Sequence, residues 1–353
     1  MSNRRCPRCH TNYAAPARFC PRDGTPLVEV APAPDDGANT AKVRAVEKAA
    51  EPADPLYSSL TGQTLGENYL VDRRLGEGGM SYVYLGQEIA SGQKVALKVL
   101  SPKLSRDPAS VERLRREAAI AMRLSHPNVC PILGFGETPH PLIYLVMPYL
   151  PGEPLSDHEI RRGAMDIDDA IPLLVQMCRG LEHAHGLSIV HRDLKPENVM
   201  LVPDRAAPGG LRAVVMDFGL AKERRAEPEV VKLTQTGIVL GTPEFMSPEQ
   251  IRGKPLDGRS DVYALGVLAF EMFTGRLPFA GKTPQEMMLA RLKGEPTRLR
   301  AVRPDLPAKL EDVIVRALAV EPAQRQKSMN ELGAAFASAV GPTGVFGRLF
   351  GRK

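Results

Sequence analysis

The periodicity of apolar residues changes near Pro154, and that change constrains the fold more than any other feature of the sequence. Before it, short runs of β character are set off by glycine: Leu70-Val71, Tyr82-Val83-Tyr84-Leu85, Lys94 to Leu100, and Leu142 to Met147. β-branched and aromatic residues between Gly76, Gly78 and Gly79 on one side and Ser91-Gly92 on the other suit antiparallel strands joined by tight turns. One helical pattern interrupts them over residues 108 to 124, where Val111, Leu114, Ala118 and Ala121 fall on one face. After Pro154 the spacing is mostly helical, over residues 170–185, 260–273, 284–292, 310–319 and 329–339. This order predicts an α+β chain with a small β-rich lobe over residues 66–150 and a larger helical lobe over residues 151–340. A cleft between two such lobes is a natural place for a ligand.

The remaining chain differs in composition. Residues 30–65 are rich in Ala and Pro, and residues 31–55 hold no aromatic side chain, so the stretch reads as a linker without enough apolar surface to offset the entropy of ordering. Of five cysteines, Cys6, Cys9 and Cys20 crowd into the first twenty residues, a metal-like spacing better suited to a reducing compartment than to a disulfide scaffold. No signal segment and no apolar run of spanning length is found, which predicts a soluble, cytoplasmic protein without a transmembrane segment. The net charge of +5 is concentrated at the ends. Five arginines stand against Asp23 and Glu29 in the first thirty residues, and Arg348, Arg352 and Lys353 close the chain, leaving the main body near neutral. That distribution argues against nucleic-acid binding by the main domain.

Three segments carry chemistry. Leu75-Gly76-Glu77-Gly78-Gly79-Met80-Ser81-Tyr82-Val83 lies between two strand candidates, where glycines let backbone N–H groups approach phosphate oxygens, although a ligand-free hairpin satisfies the same residues. Val95-Ala96-Leu97-Lys98 puts a lysine into an apolar strand, and periodicity alone leaves Lys98 open between a solvent-facing and a functional position. Ile189-Val190-His191-Arg192-Asp193-Leu194-Lys195-Pro196-Glu197-Asn198-Val199-Met200 is followed by Val214-Val215-Met216-Asp217-Phe218-Gly219.

Together, in this order and at these separations, the segments resemble the signature of eukaryotic-like (Hanks-type) protein kinases over roughly residues 66–338. The resemblance implies a bilobal kinase fold that binds ATP with Mg²⁺ or Mn²⁺ and phosphorylates Ser/Thr hydroxyls of protein substrates. It assigns Asp193 as the base, Lys195 as a support for the transferring phosphate, and Lys98, oriented by Glu117, as the grip on the α and β phosphates. Asn198 and Asp217 would ligate magnesium. Leu75, Gly76, Glu77, Gly78, Gly79, Ser81, Val83, Ala96, Met147, Pro148, Leu150 and Met200 would line the nucleotide site. Lys195 matches the Ser/Thr-directed branch. Arg192 implies activation by phosphate on the activation segment, with Thr234 and Thr236 as acceptor candidates and a homodimer for autophosphorylation in trans. Thr242 would belong to the substrate floor, Glu249 would pair with Arg325, and Asp261 would hold the catalytic-loop backbone.

Three departures stand out. Ser81 replaces the third glycine, Pro148 stands where an acidic residue is usual, and Ser247 replaces the alanine of Ala-Pro-Glu. Pro148 lacks an N–H, but the resemblance asks that position for its carbonyl and takes the donor from Leu150. The rival reading of another class is a pseudokinase scaffold, disfavoured because Lys98, Glu117, Asp193, Asn198 and Asp217 are all present.

At the amino terminus, Cys6-Pro7-Arg8-Cys9 and Cys20-Pro21-Arg22-Asp23-Gly24 look like a zinc ribbon over residues 1–29, with Cys6, Cys9, Cys20 and Asp23 as Zn²⁺ ligands and His10 as the competing fourth. A ribbon without metal is the alternative. Docking of a regulatory protein is the favoured role, ahead of thiolate redox sensing or a weak nucleic-acid contact. Residues 341–353 mix apolar and basic side chains and read as a frayed end or a membrane-surface contact, with Gly347 and Gly351 favouring the former.

Overall fold

The computed structural model describes residues 60–78, 81–100, 108–138, 142–218, 243–281 and 283–340, together with the backbone of three short amino-terminal strands. Those strands, β1 (Asn3–Arg5), β2 (Asn12–Ala14) and β3 (Val28–Glu29), form an antiparallel sheet in the order β2-β1-β3. Cys6, Cys9, His10, Cys20 and Asp23, as well as Thr234, Thr236, Thr242 and the tail over 341–353, lie outside the described residues.

The main chain divides into two compact units, the first ending at Val111 and completed by Gly136–Val146, the second made of Glu112–Phe135 and Met147 onward. The first unit is built on a six-stranded sheet. Its strands are β4 (Thr64–Leu65), β5 (Tyr69–Gly78), β6 (Ser81–Glu88), β7 (Lys94–Leu100), β8 (Gly134–Glu137) and β9 (Ile143–Pro148), in the order β4-β5-β6-β7-β9-β8. Period-2 alternation gives the sheet its two faces. Val95, Leu97 and Val99 of β7 point into a core with Tyr84, Val71, Leu142, Tyr144 and Val146. Leu60 and Leu65 are fully or almost fully buried in the same core, so the packing of the first unit includes at least Leu60, ahead of residue 66. Two leucines were enough to dock the end of a stretch whose Ala/Pro content reads as linker.

The second unit is helical, apart from one small sheet. Its elements are α1 (Pro108–Ala121), shared at its start with the first unit, then α2 (Leu155–Arg162), α3 (Ile167–Gly186), α4 (Pro248–Ile251), α5 (Gly258–Thr274), α6 (Pro284–Lys293), α7 (Leu299–Val302), α8 (Ala308–Ala317) and α9 (Met329–Ala339). Helix α5 is apolar on every side, with Val262 through Ala269 all buried, and so sits inside the unit, packed by α3, α8 and α9. The Asp257 side chain caps its start by accepting from the Arg259 N–H, and Gly275 at φ 66° ends it in the left-handed conformation that glycine adopts without strain.

Strands β10 (Glu153–Pro154), β11 (Val199–Pro203) and β12 (Leu211–Val215) form the small antiparallel sheet. β12 is fixed from its other side by residues 128–130: the Cys130 N–H donates to the Val215 carbonyl at 2.9 Å, and the Val215 N–H donates to that of Asn128 at 2.9 Å. Asn128 in turn donates to the Gln176 side chain of α3 at 3.1 Å and to the Ala213 carbonyl at 2.8 Å. These bonds explain why α1 and its following loop belong to the second unit: the loop is stitched to α3 and β12. Among the described residues no helix is long and apolar enough to cross a membrane.

Candidate active site

In the first unit the register of the sheet decides the position of Lys98. Val83 pairs with Lys98 and Leu85 with Ala96, so these residues share the face opposite the core, and Lys98 is half-buried there. The glycine hairpin continues the same strands, with Gly76 opposite Val83, Glu77 opposite Tyr82 and Gly78 opposite Ser81. Two register irregularities in β5, between Val71 and Arg73 and between Arg74 and Gly76, place an extra residue each time. Such bulges bend and twist a strand. The second irregularity leaves Leu75 more than a third exposed.

In the second unit the segment after α3 carries Asp193, Lys195 and Asn198. Its backbone is pinned by Asp261 on the first turn of α5. The His191 N–H donates to Asp261 Oδ2 at 2.8 Å, the Arg192 N–H donates to Oδ1 at 2.9 Å, and His185 Nε2 lies 2.7 Å from Oδ2. Burial alone would raise the Asp261 pKa, but the hydrogen bond and charge of His185, together with His191, hold it below the ordinary carboxylate value. Arg192 has φ 65°, uncommon for a residue with a side chain, and the two bonds to Asp261 flank that bend.

His191, fully buried, joins this loop to the strand end that bears Asp217. Its Nδ1 accepts the Asp193 N–H at 3.3 Å, which puts the ring proton on Nε2, and Nε2 donates to the Met216 carbonyl at 2.7 Å. Phe218 meets the same ring edge-on at 4.9 Å. Asp217 itself has φ 55°.

Asn198 is buried and donates through Nδ2 to the Asp193 carbonyl at 2.8 Å and weakly to Asp193 Oδ2 at 3.5 Å. The Met216 N–H donates to the Asn198 carbonyl at 2.8 Å. With Nδ2 engaged, the amide oxygen is left as the acceptor end. An amide oxygen and a carboxylate are hard oxygen donors that suit magnesium rather than zinc, and Asn198 and Asp217 would supply them. Lys195 Nζ lies 3.7 Å from Asp193 Oδ2, with both side chains a fifth exposed. Among the described residues no cluster of three or more His, Cys, Asp or Glu side chains has metal-binding geometry.

Glu117 lies on α1, half-buried, in the second unit, whereas Lys98 is in the first. Met147, Pro148 and Leu150 follow at and beyond the end of β9, with Met147 buried and Met200 half-buried on β11. Beyond the activation segment, Glu249 and Arg325 form a buried two-pronged pair, Nη1 to Oε1 and Nη2 to Oε2, each at 2.7 Å. Burial opposes ionisation of Glu249, but the Arg325 hydrogen bonds and charge, with Ser260, hold its pKa low. Sequence reasoning missed His191 and His185, which fix the loop from its two sides, and Gln250, whose Nε2 donates to the Arg192 carbonyl at 2.7 Å. Gln250 also closes a reciprocal cap with Ser247, so the serine in place of alanine starts α4.

A sheet-built first unit followed by a helical second unit, with Asp193 bonded to Asn198 and its loop pinned by His191 and Asp261, is the arrangement of the protein kinase fold. The model of the protein kinase domain family matches residues 69–336, and the chain belongs to that family. It is 38% identical over 276 residues to Serine/threonine-protein kinase pkn3 of Myxococcus xanthus, covering 78% of this chain and 50% of that protein. It is likewise 38% identical over 277 residues to Serine/threonine-protein kinase PknB of Mycobacterium tuberculosis, covering 78% of this chain and 43% of that one. The chain thus spans half or less of the length of these curated relatives. Among solved structures, the Mycobacterium tuberculosis PknI kinase domain superposes with a TM-score of 0.62 at 31% identity, over 79% of this chain and 98% of that one.

Proposed function

We propose that this chain is a serine/threonine protein kinase that moves the γ-phosphoryl group of ATP to Ser or Thr hydroxyls of protein substrates. The observation that carries the reading is the convergence of Asp193, Lys195 and Asn198 on one short loop that Asp261 and His191 hold beside Met216-Asp217. In this reading the Asp193 carboxylate accepts the substrate hydroxyl proton as that oxygen bonds to the γ-phosphorus and the bond to the ADP oxygen breaks. The Lys195 ammonium offsets charge on the transferring group. Lys98, held by Glu117, grips the α and β phosphates under the hairpin of Gly76, Gly78 and Ser81. Met147, Pro148 and Leu150 receive adenine. Asn198 and Asp217 hold magnesium, which when bound neutralises phosphate charge.

Lys195, and the naming of the relatives as serine/threonine-protein kinases, support Ser/Thr over Tyr as acceptor. Arg192 is the cation that phosphate on Thr234 or Thr236 engages during activation, with a second copy of the chain as the phosphorylating partner. At the amino terminus, Cys6 and Cys9 follow β1 in sequence, and Cys20 and Asp23 precede β3. That spacing within a three-stranded sheet supports a zinc ribbon; its role in this reading is to dock a regulatory protein, in the cytoplasm.

The test is incubation of dephosphorylated protein with ATP and Mg²⁺ beside an Asp193→Asn variant, read by intact mass and peptide mapping. The wild type is expected to gain phosphate on Thr234 or Thr236. Asp193→Asn should still bind nucleotide and lose turnover by about 10²-fold or more, the range of a positioned base. Turnover within about tenfold of wild type would remove Asp193 as the base.

A further inference from the structure

Arg291 is fully buried on α6, far along the chain from every motif considered so far. A guanidinium keeps its charge when buried, so its donors need acceptors within the protein. Here both are backbone carbonyls. Nη1 donates to Met287 of its own helix at 2.9 Å, and Nη2 donates to Glu244 in the turn Pro243–Phe245. Burial pulls the Arg291 pKa down, with Tyr263 and Glu244 opposing. The charge is therefore held against desolvation by two carbonyl acceptors, with Tyr263 and Glu244 nearby.

The plane of Arg291 also lies over the Phe279 ring at 5.5 Å. Phe279 stacks on Tyr263 of α5 with centroids 6.3 Å apart and planes 13° from parallel. Arg325 covers Tyr263 at 4.9 Å and ends in the Glu249 pair. Arginine, phenylalanine, tyrosine, arginine and glutamate thus form one buried column. Both its ends grip the same short stretch of chain, at the Glu244 carbonyl and at the Glu249 carboxylate. Between those points Ser247 caps Gln250, and Gln250 reaches the Arg192 carbonyl beside Asp193. The stretch is thereby tied to the loop that carries Asp193, and in the kinase reading a polypeptide bringing its hydroxyl to Asp193 meets it there.

We infer that Arg291 is a positioning residue for the protein substrate: by fixing the turn Pro243–Phe245 it sets the height of the surface on which the substrate backbone rests, without touching ATP. The inference rests on the kinase reading. A purely structural arginine would stabilise the fold and affect both substrates together. A positioning arginine that costs stability does the opposite: exchange for an apolar side chain of similar length relieves the buried charge and loosens only the turn.

The experiment compares wild type, Arg291→Met and Arg291→Lys as full-length protein. Peptide phosphorylation gives kcat and both KM values, thermal melting gives stability, and hydrogen exchange reports the amides of 244–247. Arg291→Met is expected to melt no lower than wild type and to speed exchange at 244–247 while α5 stays protected. It should raise KM for peptide by about tenfold and hold KM for ATP within about twofold. Arg291→Lys, which reaches one carbonyl, should fall between. An unchanged peptide KM in an active Arg291→Met enzyme overturns the inference alone. A lower melting point with both KM values raised assigns Arg291 to the core and overturns it too. A wild type that transfers no phosphate, judged against Asp193→Asn, overturns the kinase reading and this inference with it.

Discussion

A buried and a half-buried carboxylate of the second unit are shifted in opposite directions, and their neighbours decide the sign. Asp261 accepts two backbone N–H groups and faces His185, so it stays ionised and contributes stability that is present above the ordinary Asp range and lost as the pH falls below it. Glu159 of α2 has no such partners. Burial first, then the charges of Glu271 and Glu197, push it up to about 9. A carboxyl raised in the folded state contributes stability that is complete below its unfolded value of 4.5 and is lost as pH climbs towards 9. Glu159→Gln keeps the shape and removes the titration. It should raise the thermal midpoint at pH 8 by about 2–4 °C, leave it unchanged at pH 4, and flatten the decline between them. Melting curves across that range check it, and a parallel decline in the variant would show that Glu159 is ionised at neutral pH.

Among the elements, α3 shows how a close approach replaces a propensity. Gly180 lies in its interior, where alanine would ordinarily favour the helix by about 1 kcal/mol. A Cβ there would sit 2.7 Å from the Asn128 carbonyl oxygen, which already accepts from Val215. Gly180→Ala is therefore expected to destabilise by about 1–3 kcal/mol, as overpacking does, and to lower turnover through the shifted β12; denaturant unfolding and steady-state rates measure both. The segments over 170–185, 260–273 and 329–339 were legible in the sequence because their apolar residues recur through several helical turns. The small sheet was not, since Glu153 pairs with Leu201 and its two-residue strand has no pattern of its own. Arg291 was invisible for the same reason. Its partners Glu244, Phe279 and Tyr263 come from separate stretches, and the one local clue is that it follows buried Met288 by one helical turn. The kinase motifs were readable because phosphoryl transfer dictates residue types at fixed local spacings, whereas the supports His185, His191 and Gln250 act across the fold.

At the scale of the whole molecule, the packing of Leu60 and Leu65 into the first unit has a direct consequence for truncation. A chain beginning at residue 59 keeps Leu60 and Leu65 in the core, whereas one beginning at residue 66 loses both. The second should be less stable than the first by about 3–6 kcal/mol, on burial of two leucine side chains. Equal melting of the two truncations would mean that these leucines contribute nothing. The composition of the units bears on a different matter, how the chain acquires its fold as it leaves the ribosome. Neither unit is a continuous piece: Gly136–Val146 completes the first, and Glu112–Phe135 belongs to the second. Strand β9 is inserted between β7 and β8, and residues 128–130 wait for β12, whose pairing partner Val215 is made much later. Synthesis therefore delivers both units in instalments, and the loop over 191–198 is translated before the strand and helix that hold it in place, so its fixing waits on chain made later.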